Sequence, residues 1–567
     1  MFSESDYPLK IERKDRVALI LLIAIPMLLL VLGVFQGLLQ VLYRAGYIRA
    51  TSFLGIEYYQ GLTLHGVINA LVFTTFFEVA FGFVIVAYYL QKPIPRPWLW
   101  ASFAVMLTGT LMAAFPMLTG QATVLYTFYP PLKAHPLFYA GAALLIVGSW
   151  IAYFSWIPQY VSWRKENPGE KTPLGVVGIL SAFTIWFMCT LPVAYEVLVL
   201  LLPWSLGWTK SVDVLLARTL FWFFGHPLVY FWLLPVYVMF YVMLPKIAGG
   251  KLYSDGAGRM AFMFFLVLSA PVGLHHQFSD PGISSAFKWF HMIITFGVAI
   301  PSFMTAFTMA ASMEHAANSR GAYGLFSWWK ALPYWNKERW MFPYLFCGLV
   351  LFFFGGITGI INASGNMDLT VHNTAWIPAH FHTTIAGPVF LGFLGMSLMM
   401  ICQLRGVRIP FPSLNLWTPW LWLIGVSIFS TGLSVAGVLG EPRRTNMGLT
   451  YANPESALYV PQWHLWDQLG VLGGILMFLA VLIFFINFFV ALFSKSRPEQ
   501  QEVRFPTSEA YHDEQISWVR NFKPWVAGMV LAVFIAYLPP LYQIVTGNQQ
   551  KAVPYRPWSP APEKPAK

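Results

Sequence analysis

Thirteen stretches of this chain are long and apolar enough to cross a lipid bilayer, and that feature leaves few architectures open. An unpaired backbone amide or carbonyl in hydrocarbon costs several kcal/mol, so a spanning segment must satisfy its own hydrogen bonds as a helix or join a closed barrel. About 20 helical residues cover a hydrocarbon core about 30 Å thick. The stretches run approximately 17–42, 63–91, 98–118, 137–161, 173–203, 216–244, 259–277, 286–313, 342–361, 377–404, 416–440, 466–493 and 522–546. They predict an all-α integral membrane protein. With only 10% charged residues, against roughly 25% in soluble domains, the composition agrees.

Lys and Arg placement predicts the orientation. With the N-terminus cytoplasmic, the inner segments hold 23 of the 35 basic residues and the outer segments 12. The C-terminus is then external, and the net charge of +11 needs no nucleic acid to explain it. The first stretch is too long for a cleaved signal peptide, and no cleavage site follows it. Cys189, Cys347 and Cys402 fall inside predicted spans without C-x-x-C spacing, so they read as packing residues. The whole of 1–567 is expected to form one membrane domain. The Pro-rich tail 551–567 is expected to have no regular fold.

Ionisable residues inside a membrane are costly and therefore functional by default. Six histidines fall in the predicted spans at matching height, in the outer half of the bilayer: His65, His226, His275, His276, His380 and His382. His275 and His276 close the seventh span. Imidazoles at common depth suit iron or copper. Three of them, His226, His275 and His276, can make a copper site with an open position. His380 and His382 are two residues apart, so on a helix they point about 200° from each other and cannot share one ion. His65 and His382 can sandwich one haem iron from two helices. His380, facing the other way, can hold a second haem from one side only.

Four motifs, "FFGHPLVYFWLLP" (223–235), "PVGLHHQFSDPGI" (271–283), "VHNTAWIPAHFHTT" (371–384) and "EPRRT" (441–445), with "LHGVINAL" around His65, together resemble subunit I of the haem-copper terminal oxidases. The likeness is nearest to the B-type, ba-type cytochrome c oxidase branch. It implies a copper held by His226, His275 and His276, a high-spin haem, expected a-type, on His380, and a low-spin haem, expected b-type, on His65 and His382. Phe381 would lie between the haems. Tyr230, one helical turn from His226, would be joined to it and supply an electron and a proton. Asp368, His372, Arg443 and Arg444 match positions near the haem propionates, where an arginine fork pairs naturally with carboxylates.

The resemblance also implies a proton path from the cytoplasm along Tyr237 and Tyr241, with Ser302, Thr305 and Thr308 on the eighth span. As residues alone, the Ser and Thr stripe reads equally well as close helix packing. The larger A-type branch has a glutamate where this chain has Leu228, so one pathway must serve both chemistry and pumping. Glu78 and Glu196 are intramembrane acids with no assigned role.

The function expected is the catalytic subunit of a proton-pumping oxidase that reduces dioxygen to water, in the multi-pass setting of a prokaryotic cell membrane. Its partners would be membrane lipid, a subunit II with a dinuclear copper centre fed by cytochrome c, and a small additional membrane subunit. A quinol oxidase and a nitric oxide reductase are the enzymatic rivals. The latter would use iron and nearby glutamates and would not need Tyr230. A transporter with structural histidines is the non-enzymatic rival, and it would show broken helices at mirrored positions in two halves.

Overall fold

The protein is described by a computed structural model over residues 8–497, 501–514 and 516–547. The Pro-rich tail 551–567 lies outside the described residues. Among these, thirteen helices have the length and apolar composition to cross a membrane: α1 Arg13–Arg44, α2 Tyr58–Leu90, α3 Arg96–Leu118, α4 Pro136–Glu166, α5 Leu174–Ser205, α6 Val214–Ala248, α7 Asp255–Gln277, α8 Ser285–Asn318, α9 Met341–Ala363, α10 Trp376–Arg405, α11 Pro412–Val438, α12 Pro461–Phe493 and α13 Phe522–Val545. Strand pairs are confined to two or three residues each in the connecting segments. The expectation of an all-α membrane protein holds.

Enclosure sorts the helices. The most apolar windows of α2, α6 and α10 are 89%, 94% and 94% buried by other protein, whereas that of α8 is only 28% buried. A helix apolar on every side must sit in the interior of a bundle or face lipid. These three take the interior, and they carry His65, His226, His380 and His382. The outer helices turn Leu111, Phe303, Phe307, Ile424 and Phe534 outward, as a lipid-facing surface requires.

Among the described residues, three helices contain short π-helical turns, at Ile68–Phe73 in α2, Glu196–Leu201 in α5 and Met239–Met243 in α6. Such turns rotate the downstream side chains relative to a regular helix and recur at functional sites. The first follows His65 by three residues, and the third contains Tyr241. Between α11 and α12 the chain crosses the ends of the bundle as a strap. Its Pro442 pairs with Thr374 just ahead of α10.

Candidate metal and cofactor site

Proline shapes the first ligand position. Pro227 has no N–H to continue the helical ladder, so α6 is interrupted after Gly225 and resumes at Pro227. His226 sits at that junction, its amide reaching Trp222 O at a long 3.4 Å while Val229 N bonds back to His226 O at 3.0 Å. The ring faces inward from the break. Its Nε2 lies 2.9 Å from Tyr230 Oη, one turn on, and its Nδ1 lies 3.1 Å from His276 Nε2.

The other two members of this group close the seventh span as expected, on its last turn rather than on regular α-helix. The regular part of α7 ends at Ser269, and His275 and His276 occupy a 3-10 turn, Leu274–Gln277. On this turn the two rings stay together, with centroids 4.2 Å apart. Gly273 permits the turn, because a Cβ there would come 2.3 Å from Trp222 O. Trp222 stacks on His276 at 3.8 Å, and Thr295 Oγ1 lies 3.1 Å from His275 Nδ1. Beyond the turn, Arg218 of α6 grips Asp280 through two 2.9 Å bonds, fixing the loop to the helix that carries His226.

One nitrogen from each of His226, His275 and His276 lies within 4.8 Å of the others. Three imidazoles turned on one another, that of His275 buried and the other two half-buried, with no carboxylate or thiolate among them, bring lone pairs together that a cation would satisfy. The donor set fits copper.

Two cavities, about 220 and 280 Å³, hold the remaining histidines. The first is lined by the three clustered histidines, Tyr230, Ser302, Asp368, His372 and, from α10, His380. The second is lined by His65 and His382. Phe381, Ile377, Ile385, Tyr126 and Arg443 border both, so the opposite aim of His380 and His382 puts them in neighbouring chambers with Phe381 between. The rings of His65 and His382 lie parallel to within 9°, with centroids 6.1 Å apart.

Hydrogen bonds select the free nitrogen on each ring. His382 Nδ1 donates to Pro378 O at 2.7 Å, and His65 Nδ1 donates to Gly33 O at 2.9 Å. In both cases Nε2 is left free, the arrangement by which a hydrogen bond orients a histidine toward a metal. His380 Nδ1 meets Thr358 Oγ1 at 2.8 Å and Thr384 Oγ1 at 3.1 Å. The sequence reading missed Thr358, Thr384 and Thr295, since isolated threonines in apolar helices carry no signal until the fold brings a histidine beside them.

Arg443 and Arg444 are not on a solvated loop. Arg443 borders both cavities, and Arg443 Nε and Arg444 Nη2 are buried without hydrogen-bond partners. Arg444 and Asn373 hold left-handed backbone, φ 59° and 60°, a conformation that persists where surrounding contacts enforce it. Burial and the neighbouring Arg444 pull Arg443 down to about 10. Asp368 accepts a 2.8 Å hydrogen bond from His372 Nδ1. Burial raises its carboxyl above the usual range, and the His372 bond offsets part of that. Unpartnered cationic donors at the rims of two histidine-lined cavities suit anionic substituents of haem.

Of the proposed proton-path residues, Tyr241 Oη and Thr305 Oγ1 meet at 2.8 Å. The Tyr237 hydroxyl faces Ser302 and Thr305 without a well-formed hydrogen bond. Thr308 Oγ1 donates to Met304 O, as Thr305 Oγ1 does to Pro301 O, and its hydroxyl also faces Tyr241. Glu78 and Glu196 are fully buried with no hydrogen-bond partner on either oxygen of each.

Residues 17–476 match the family model of cytochrome c and quinol oxidase polypeptide I. The chain belongs to that family. It is 42% identical over 496 residues to cytochrome c oxidase subunit 1 of Thermus thermophilus, covering 86% of each protein. It is 27% identical to the heme-copper oxidase subunit I+III of Aeropyrum pernix over 85% of this chain and 57% of that one. A solved heme-copper terminal oxidase dimer superposes with TM-score 0.91 at 49% identity, over 94% of this chain and 93% of that one. The family binds haem and copper, and the rival of a transporter falls away.

Proposed function

We propose that this oxidase subunit I is the catalytic, oxygen-reducing subunit of a B-type enzyme, with copper on His226, His275 and His276, a high-spin haem on His380 and a low-spin haem on His65 and His382. The observation that carries the proposal is the cluster of three imidazoles lining the same cavity as His380. When bound, these groups carry electrons and reduce dioxygen, chemistry that side chains alone cannot supply.

The chain's own contribution is positional and protonic. His226 turns Nδ1 to the copper position and Nε2 to Tyr230, so the Tyr230 hydroxyl holds a transferable proton beside the reacting cavity. The Tyr241–Thr305 contact supplies one preformed step on the inner side, with Tyr237 and Ser302 between it and that cavity. We read this as the single route for chemical and pumped protons, because Leu228 offers no carboxyl on α6. Arg443 and Arg444 balance propionate charge, Asp368 and His372 stand at the cavity rim as a hydrogen-bonded pair, and Phe381 packs between the chambers.

An a-type high-spin haem, a b-type low-spin haem, a dinuclear-copper subunit II with cytochrome c as donor, a small further membrane subunit and a prokaryotic plasma membrane complete the reading. One membrane domain over 1–567 is part of it. Support for an oxygen rather than a nitric oxide substrate comes from Tyr230, which stands in hydrogen-bond contact with the proposed copper ligand. The test is a reduced-minus-oxidised spectrum with carbon monoxide, together with His276→Ala. We expect one haem that binds carbon monoxide and one that does not, and a variant that keeps both haems but loses copper and oxygen uptake. Two haems that both ignore carbon monoxide, or unchanged copper in the variant, would refute the assignment.

A further inference from the structure

Outside the ligand set, one buried cluster is out of charge balance. At the end of α1, Arg44 Nη2 lies 2.7 Å from Glu441 Oε1 on the strap, and Arg44 Nε lies 3.5 Å from Asp467 Oδ1 in the first turns of α12. Side-chain exposures are 11%, 0% and 2% for Arg44, Glu441 and Asp467. Arg44 Nη2 also donates to Pro442 O at 2.9 Å. Apart from the ion-pair contacts with Arg44, neither oxygen of Glu441 nor Oδ1 of Asp467 has a hydrogen-bond partner. The two carboxyl groups converge on the one guanidinium, Glu441 at Nη2 and Asp467 at Nε.

Two carboxylates and one guanidinium leave a surplus negative charge where solvent does not reach. An unpaired buried carboxylate is strongly unfavourable, and two acids in contact relieve it by sharing a proton. The other titratable groups facing the cluster are Tyr58 from α2, with Tyr43 and Tyr59 beside it. Neutral hydroxyls do not restore the balance. Arg443 faces Arg444, Tyr126, Tyr129 and Arg218 instead.

The cluster is joined to the site in two ways. Arg44 itself lines the cavity that contains His65 and His382. Glu441 O accepts a 2.8 Å bond from Ala375 N, immediately before the helix that carries His380 and His382. An electron arriving in that cavity would raise the proton affinity of a nearby acid pair, because opposite charges attract most in a low-dielectric interior.

We propose that Glu441 and Asp467 form a shared-proton site coupled to the low-spin haem, taking up a proton as that haem is reduced and releasing it as the haem is oxidised. An O–H bond forms at the carboxyl pair with a proton drawn from water at that end of the bundle, and the same bond breaks on reoxidation. Electron and proton enter and leave together, so the local charge stays constant. The inference rests on the bis-histidine assignment of that haem.

The purified holoenzyme distinguishes the two. Reduced-minus-oxidised infrared difference spectra of the unaltered protein should show a carboxylic C=O band that moves in D2O, and both Glu441→Gln and Asp467→Asn should remove or displace it. In a potentiometric series, the low-spin haem midpoint of the unaltered protein should fall as pH rises, with a shallower slope in each variant. Absence of a deuterium-sensitive band in the unaltered protein, or an unchanged band and slope in both variants, would overturn the shared-proton site. So would a midpoint that follows added calcium or its chelation rather than pH, since the cluster would then be a cation site. Failure to find any low-spin haem in the unaltered protein would instead sink the assignment on which the inference rests.

Discussion

Replacing Gly37 by alanine is a direct probe of how the second cavity holds its ligand. A Cβ at Gly37 in α1 would lie 2.6 Å from His65 Cε1 and 2.7 Å from His65 Nδ1. Non-bonded carbons sit at about 3.5–4.0 Å, so the ring or the helix must retreat by about 1 Å. The ring cannot do so freely, because its Nδ1 is held to Gly33 O at 2.9 Å on the same helix. Overpacking costs about 1–3 kcal/mol and the weakened hydrogen bond about 1 kcal/mol. A total of about 2–4 kcal/mol corresponds to roughly 30- to 800-fold weaker retention of the low-spin haem. The assay is the haem content and reduced spectrum of the purified variant, with carbon monoxide binding at the other haem as an internal reference. Gly528→Ala is the control, since its Cβ would meet nothing closer than Val267 Cγ2 at 3.8 Å. Alanine favours a helix interior by about 1 kcal/mol over glycine. A Gly37→Ala protein with full low-spin haem and raised thermal stability would therefore refute the argument that the ring fills the space beside this glycine.

Tyr230→Phe removes the hydroxyl 2.9 Å from His226 Nε2 and should lower oxygen uptake by about 10²–10⁴-fold, with haem and copper retained on metal analysis. Thr305→Val removes the partner of Tyr241 Oη and should slow steady-state turnover while leaving the optical spectrum unchanged; undiminished turnover would take this contact out of the proton route. Asp280→Asn breaks the double contact with Arg218, and we expect a loss of about 1–3 kcal/mol in thermal inactivation together with weakened copper retention, because the loop after His275 and His276 is anchored there.

The helices and the candidate ligand histidines were legible because their physics is local. A span is a run of apolar residues, and the H-P, H-H and H-x-H patterns place imidazoles at set angles once a helix is assumed. The pairing of Tyr230 with His226 is a four-residue relation within one helix, and it survives the break at Pro227. His275 and His276 do close α7, but on a 3-10 turn, because its regular part stops at Ser269 and Gly273 then passes against Trp222 of another helix. That contact lies about fifty positions away in sequence.

Chain order alone thus specified a membrane bundle and nominated its histidines, since burial in lipid and helical periodicity are written residue by residue. Which helices become the enclosed trio, which threonines bond the His380 ring, and the meeting of Arg44, Glu441 and Asp467 were settled only by folding. These depend on residues as much as 423 positions apart converging on one small volume, a relation that neither periodicity nor composition encodes.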